Sequence, residues 1–213
     1  MSTYRFLFHL HTFHSHDGMI SFEALYSVVK KYQITHLAVT EHNNMDSFLP
    51  LQKFFANKDY QPIIIPACEY TTPIGDIIVL NLAQLIEFTD YQSLVEQAKN
   101  LGGLLVLPHP YKRKGYPDDL VKALDFYEIF NLRGATRYFD NRLFAGIPFL
   151  YGTDAHQNID LPGVFNIYHS ETDFFTTIRT QIPVPQLVRK EISLINKISK
   201  QISKIKVRFW VKR

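Results

Sequence analysis

Short runs of β-branched and aromatic residues alternate along the chain with stretches of helical periodicity, the pattern of repeated βα units around a mainly parallel sheet. Apolar or alternating runs predict strands at Arg5 to His9, His36 to Thr40, Pro62 to Pro66, Asp76 to Leu82, Leu104 to Leu107, Phe126 to Phe130, Pro148 to Gly152 and Val164 to Tyr168. Apolar steps of three and four predict helices at Phe22 to Tyr32, Met45 to Asn57, Tyr91 to Leu101, Asp118 to Leu124, Arg137 to Ala145 and Thr172 to Thr180. Ser21 is placed to cap the first helix, with Glu23 in its first turn. The segments IIIP, GLLVLP and GIPFLYG are almost wholly apolar, as strands covered on both faces should be. Such units form either a closed barrel or an open sheet, and periodicity does not choose between them. Both architectures put ligand sites at the carboxyl ends of the strands.

Composition narrows the class. A chain of 213 residues is long enough for one fully cored domain. Its 14% aromatic content exclude a disordered or collagen-like chain, and a mean hydropathy of −0.10 argues against a membrane protein. The single Cys68 excludes a disulfide framework, so no disulfide partner is expected, and also a Cys-based zinc module. The opening MSTYRFLFHLHTFHSHDG lacks the marks of a signal peptide, and a cytoplasmic protein is the expectation. Charge is unevenly spread. Residues 189–213 carry nine basic residues against one acid, a net +8, whereas the first 188 carry fourteen against nineteen, a net −5.

The residues that follow the strands carry the candidate chemistry. The first strand runs into His9-Leu10-His11 and then His14, His16 and Asp17; the second into Glu41-His42; the third into Glu69. Later strands run into His109, Asn131 and Asp154-Ala155-His156. Two residues apart in extended chain, His9 and His11 project the same way, as do Asp154 and His156, so each pair is placed to chelate. Imidazoles and carboxylates without thiolates suit Zn, Mn or Fe in a hydrolytic site with open positions. His36 and His169 lie elsewhere on their strands and read as structural or solvated, and His14 is left out of the site.

At these positions the sequence resembles the PHP (polymerase and histidinol phosphatase) family of metal-dependent phosphoesterases. HLHTFHSHDG, AVTEHNN, PACEYTT, LPHP, EIFNLRG and YGTDAH stand in that family's order between about residues 5 and 168. The resemblance implies a distorted (β/α)7 barrel, which gives an α/β body over residues 1–185; residues 186–213 are read separately, from periodicity and charge, as a basic amphipathic C-terminal helix. It implies two or three divalent metal ions. His9, His11, Glu69 and Asp154 would hold the first, Glu69 would bridge to a second with His109, and Asp17 (or His16), His42 and His156 would hold a third. Three positions depart from the family pattern: Leu7 stands where many members have Asp, Glu41 stands for Asp before His42, and Asn131 stands where some members have a His or Cys ligand.

The expected function is a metal-dependent hydrolase that cleaves a phosphate ester, a phosphomonoester or a nucleotide, with metal-activated water. Glu69 would set the metal separation, and His156 or His42 would protonate the leaving oxygen. Beyond the metals, Arg113, Arg133 and Asn131 are the candidate substrate contacts, with Lys112, Lys114 and Arg137 as further cations of the active face. Gly152 is read as letting the backbone pass close to the metals, or as a tight strand end.

In the tail, Val188, Ile192, Ile195, Ile198, Ile202 and Ile205 fall on one helical face opposed by Lys and Ser. The leading expectation is a helix packing its Ile face on the body with its lysines in water. Contact with an anionic membrane or with nucleic acid through residues 189–213, or an oligomer contact, are the other options. Two rival functions stand beside the phosphoesterase: a nuclease guided by the tail, and a catalytically idle metal-binding module serving interaction, for which Leu7 and Asn131 leave room.

Overall fold

A computed structural model of the chain describes residues 1–113, 115–134, 141–188 and 192–210, without the side chains of 192–197 and 208–210. Lys114, Arg137, Arg189, Lys190, Glu191, Lys212 and Arg213 therefore lie outside the described residues, as do the side chains of Ile192, Ile195, Lys197, Arg208, Phe209 and Trp210.

The strands are β1 (Ser2–Phe8), β2 (His36–Ala38), β3 (Ile63–Ile64), β4 (Ala67–Thr72), β5 (Gly75–Leu80), β6 (Leu104–Leu107), β7 (Phe126–Asn131), β8 (Phe149–Gly152), β9 (Val164–Ser170) and β10 (Val184–Leu187). The α-helices are α1 (Phe22–Tyr32), α2 (Phe48–Ala56), α3 (Tyr91–Asn100), α4 (Asp118–Ala123), α5 (Phe174–Thr180) and α6 (Ile192–Trp210). Local chemistry sets several ends. Ser21 accepts a hydrogen bond from the Ala24 amide at the start of α1, and Gln33 closes that helix in the left-handed region. Asp90 and Ser93 form a reciprocal capping box on α3.

Hydrogen bonding joins the strands into two five-stranded sheets, β10-β9-β1-β2-β3 and β4-β5-β6-β7-β8. Pairing is parallel at β1/β2, β2/β3, β6/β7 and β7/β8, and antiparallel at β1/β9, β9/β10, β4/β5 and β5/β6. Among the described residues this is a mixed arrangement and not one closed ring of parallel strands. The physical reason is β4, which the apolar patterns do not mark. Its ACEYTT run forms an antiparallel hairpin with β5, adding a strand between two expected ones, and β9 lies antiparallel to both β1 and β10. The expected helix from Arg137 is described only over Asn141–Phe144, where the chain makes a 3-10 turn.

The two sheets face each other. Phe6 and Phe8 of β1, Ile78 and Leu80 of β5, Leu104 and Val106 of β6, and Phe126 of β7 pack in one shared interior cluster. The alternate residues point outward. Leu7 packs with α1 and α2 residues such as Leu25, Val29 and Leu51, while Val79, Leu105 and Leu107 pack under Leu94 and Ala98 of α3. Each fully buried aromatic or aliphatic side chain contributes on the order of 1.5–3 kcal/mol. Where the sheets meet, isolated parallel bridges join them, Leu10 with Ala155 at one seam and His42 with Glu69 at the other. Both seams lie at the end of the fold where the candidate ligands gather. Among the described residues no helix is long and apolar enough to cross a membrane.

Among the described side chains of the tail, Ile198 and Ile205 do not pack as the leading expectation has it, although Val188 packs against the core and Ile202 is half-buried. On α6, Ser199 is fully buried and Ser203 is 5% exposed, whereas Ile198 is 44% and Ile205 is 53% exposed. The polar face turns inward because it finds partners there. Ser199 donates to Asp160, Ser203 accepts from Arg133, and the ammonium of Lys206 donates to the carbonyls of Ser15 and Gly18.

Candidate metal centre

The segments that leave β1, β2, β6 and β8 bring their polar residues into one place, joined by Glu69 from β4. His9, His109 and Asp154 each follow a strand directly or within two residues, and each adopts a positive φ of 59°, 34° and 51°. That left-handed geometry is costly for a residue with a β-carbon, and it turns the side chain back over the end of the sheet. His9 and His11 do converge, as do Asp154 and His156. They do so through this local turn and not through simple extended alternation.

Glu69 sits at the centre. Its Oε2 lies 3.1 Å from His11 Nε2, 3.4 Å from His9 Nε2 and 3.5 Å from His42 Nδ1, while its Oε1 lies 3.0 Å from His109 Nε2. Asp154 Oδ1 is 3.7 Å from His9 Nε2, 3.9 Å from His11 Nε2 and 3.4 Å from His156 Nδ1. Asp17 lies between two imidazoles, 2.8 Å from His156 Nε2 and 3.6 Å from His42 Nε2. His16 lines the same cavity, its ring 4.9 Å from that of His42.

The protonation states suit cation binding. Burial works against the charge of Glu69, yet His9 and His42 hold its carboxyl well below the usual range. Burial likewise opposes the charge of Asp154, which His9 and His156 overcome, and that of Asp17, which the hydrogen bond and charge of His156 overcome. Burial pushes the pKa values of His11 and His42 down, which keeps both rings neutral. His9 behaves differently. Burial lowers it, but the carboxylates of Glu128 and Glu69 together raise its pKa well above 6.5.

Buried polar atoms are normally satisfied, because leaving one unpaired costs about 1–3 kcal/mol. Here His9 Nε2, His11 Nε2, His42 Nδ1, Asp17 Oδ1 and Glu69 Oε2 are buried without a hydrogen-bond partner. Three overlapping groups bring their ligand atoms within 4.8 Å of one another: His9, His11 and Asp154; His9, Glu69 and His109; His11, His42 and His156. The donor set fits divalent cations with oxygen and nitrogen preference. Cys68 takes no part, since its thiol faces the Glu41 carbonyl at 3.5 Å and burial pushes its pKa up to about 12.

Sequence reasoning missed Glu128. It lies on β7 two residues from Phe126, on the inward side, fully buried. Its Oε1 is 2.6 Å from His9 Nδ1, and its Oε2 accepts from the His109 amide at 2.7 Å and from Asn131 Nδ2 at 2.9 Å. This carboxylate is placed to orient the His9 ring. Leu7 itself points to the outer cluster. The only hint in sequence was an acid inside an otherwise apolar strand. Gly152 is also reinterpreted, since a β-carbon there would collide with the Glu128 carboxylate.

The other candidates separate. Asn131 is buried, and its amide oxygen accepts from the Gly134 amide at 3.2 Å and from Tyr111 at 3.4 Å, so with Glu128 both ends of its amide face protein groups. Glu41 turns away from the cluster to accept from the Thr12 amide and hydroxyl, which steadies the loop that carries Asp17. Arg113 runs beside Gly75 and Tyr116 and is not among the residues that line the cavity. Lys112, Arg133 and Lys200 are. His14 stacks on Phe22, His36 stacks on Phe174 with ring centres 3.8 Å apart, and His169 contacts Thr3, all apart from the cluster.

A model of the PHP domain matches residues 8–172. An uncharacterized protein of Methanocaldococcus jannaschii is 32% identical over 108 residues, 49% of this chain and 62% of that relative, so the match spans less than two thirds of its length. A two-domain protein of Bacteroides vulgatus, described as containing a predicted PHP-like metal-dependent phosphoesterase, superposes with a TM-score of 0.67 at 18% identity. That likeness covers 84% of this chain and 62% of the other. The lesion-specific endonuclease PfuEndoQ of Pyrococcus furiosus superposes with a TM-score of 0.58 at 16% identity, over 85% of this chain and 56% of its own. At such identities the structural likeness shows the fold alone.

Proposed function

Because the match covers well over half of its length, this chain belongs to the PHP domain family, and we propose that it is a metal-dependent phosphoesterase that hydrolyses a phosphomonoester or a nucleotide. The observation that carries this reading is the convergence around Glu69 of five buried, unpartnered donor atoms, from His9, His11, Asp17, His42 and Glu69, of which Asp17, His42 and Glu69 line a cavity of about 490 Å³.

In this reading residues 1–185 form the catalytic unit, a distorted barrel of two facing sheets bridged at two seams, and residues 186–213 are appended to it, β10 (Val184–Leu187) running across that boundary. His9, His11, Glu69 and Asp154 would hold one divalent ion, Glu69 with His109 a second, and Asp17, His42 and His156 a third, drawn from Zn, Mn or Fe. Such ions supply a water nucleophile of lowered pKa and neutralise the phosphoryl oxygens. The chain does the rest. Glu128 holds His9 in register, Glu41 holds the Asp17 loop through Thr12, and Lys112 and Arg133 place cations on one wall for the anionic substrate. His156, whose Nε2 is 2.8 Å from Asp17, or His42 would pass a proton to the leaving oxygen. The reading places the chain in the cytoplasm.

Turnover of p-nitrophenyl phosphate with Mn, Zn or Fe, lost in His9→Ala and in Asp154→Ala, is the expected result. No turnover with any of the three metals, while the chain binds them stoichiometrically, would instead favour the idle metal-binding module. A nuclease guided by the tail is the alternative, and steeply salt-dependent nucleic-acid affinity that is lost on deleting residues 189–213 would favour it.

A further inference from the structure

Helix α6 lies beyond residues 8–172, the span of the family match. It nevertheless touches three of the segments that form the site. Lys206 donates to the Ser15 carbonyl at 2.7 Å and to that of Gly18, in the loop that carries Asp17. Ser199 donates at 2.6 Å to Asp160 Oδ2, which also accepts from the amides of His156 and Gln157. Ser203 accepts from Arg133 Nη2 at 3.1 Å, and the Lys200 ammonium donates to the Arg133 carbonyl at 2.8 Å.

Two consequences meet at the cavity. Lys200 lines it together with Lys112 and Arg133, on the same cavity wall system as Asp17, Glu69 and Asp154. Arg133 is pinned from both sides, by Ser203 at one nitrogen and at 3.9 Å from Asp154 at another, while its buried Nε has no hydrogen-bond partner. A guanidinium held in this way loses little rotamer freedom when it binds an anion, and a second cation tethered to the same residue adds charge without searching for its position.

We propose that α6 builds the anion anchor of the site: the Lys200 ammonium and the Arg133 guanidinium together bind non-bridging oxygens of the substrate phosphoryl group, and Ser203 is the positioning residue for Arg133. The inference rests on the phosphoesterase reading and names its substrate contact. It gives the inward turn of the Ser and Lys face a role, since the bonds of Ser199, Ser203 and Lys206 that hold that face against the body also bring Lys200 to the cavity.

The test uses the full, Mn-loaded chain and inorganic phosphate as the probe. Calorimetry measures phosphate Kd, and steady-state hydrolysis of p-nitrophenyl phosphate separates KM from kcat. Lys200→Gln is expected to raise phosphate Kd and KM by about tenfold or more with a much smaller change in kcat, as for a lost charge-assisted hydrogen bond. Lys200→Arg should recover most of the affinity. Ser203→Ala should raise both constants several-fold with unchanged metal stoichiometry, which a merely structural role would not do selectively. Phosphate Kd within twofold of wild type in Lys200→Gln would overturn the anchor, as would loss of metal in that variant. A wild-type chain that binds Mn and no phosphate would instead overturn the phosphoesterase reading on which the anchor depends.

Discussion

The Glu128 carboxylate fills the space that a side chain at Gly152 would need. An ideal β-carbon on Gly152 would collide with Glu128 Oε1 and lie 2.5 Å from its Cδ. Two neighbouring strands thus share one volume, and the glycine on β8 exists so that an acid on β7 can reach His9. Gly152→Ala is expected to displace Glu128 and loosen His9, lowering metal affinity by about 10–100-fold, the usual effect of losing a group that orients a ligand. Glu128→Ala should do the same and destabilise the metal-free fold by about 3–5 kcal/mol, because it removes one partner of a buried, hydrogen-bonded pair and strands the other. Calorimetric titration with Mn and urea unfolding measure the two effects, and wild-type metal affinity in both variants would refute the link.

Metal binding should release a proton from His9. Its raised pKa means that the metal-free chain holds that imidazole protonated near neutral pH, between Glu128 and Glu69. A cation at Nε2 requires the neutral ring. Titrations in buffers of different ionisation enthalpy should give about one proton released per chain at pH 7, and a smaller number in Glu128→Gln. Equal release in both proteins would contradict this assignment.

Glu69→Ala should cost more than one ion per chain. Its two oxygens face different imidazoles, His11, His9 and His42 on one side and His109 on the other. Elemental analysis of the purified variant that returned the full wild-type metal content would show that Glu69 does not bridge.

His36 should make the fold acid-sensitive independently of the metals. Burial lowers its pKa from 6.5 to about 4, so above pH 6.5 it is neutral both folded and unfolded and contributes nothing. As pH falls from 6.5 toward 4 the unfolded chain takes up a proton that the folded chain refuses, and stability declines, by about 2 kcal/mol at pH 5. His36→Phe should lose correspondingly less stability between pH 7 and pH 5 in urea unfolding of the metal-free chain. Parallel pH profiles for the two proteins would rule the effect out.

Much of the candidate site was legible because its residues follow the ends of apolar runs that mark themselves. Leu104–Leu107 and Phe22–Tyr32 are found where the patterns put them. The hairpin partner β4 was not legible, since its ACEYTT run carries as many polar as apolar side chains and becomes a strand only through its pairing with β5. Arg113 and Lys112 are adjacent in sequence, and nothing local says which one faces the cavity.

From its residues alone the chain declared its alternating elements, its family and the imidazoles and acids that gather at one end of the sheets, because strand-end position is a property of local pattern. Which way α6 faces, and that Glu128 stands behind His9, were settled only in three dimensions. A helical period reveals two faces without ranking them. Here Asp160, Arg133 and the carbonyls of the Asp17 loop offer the Ser and Lys face bonds that the Ile face could not make.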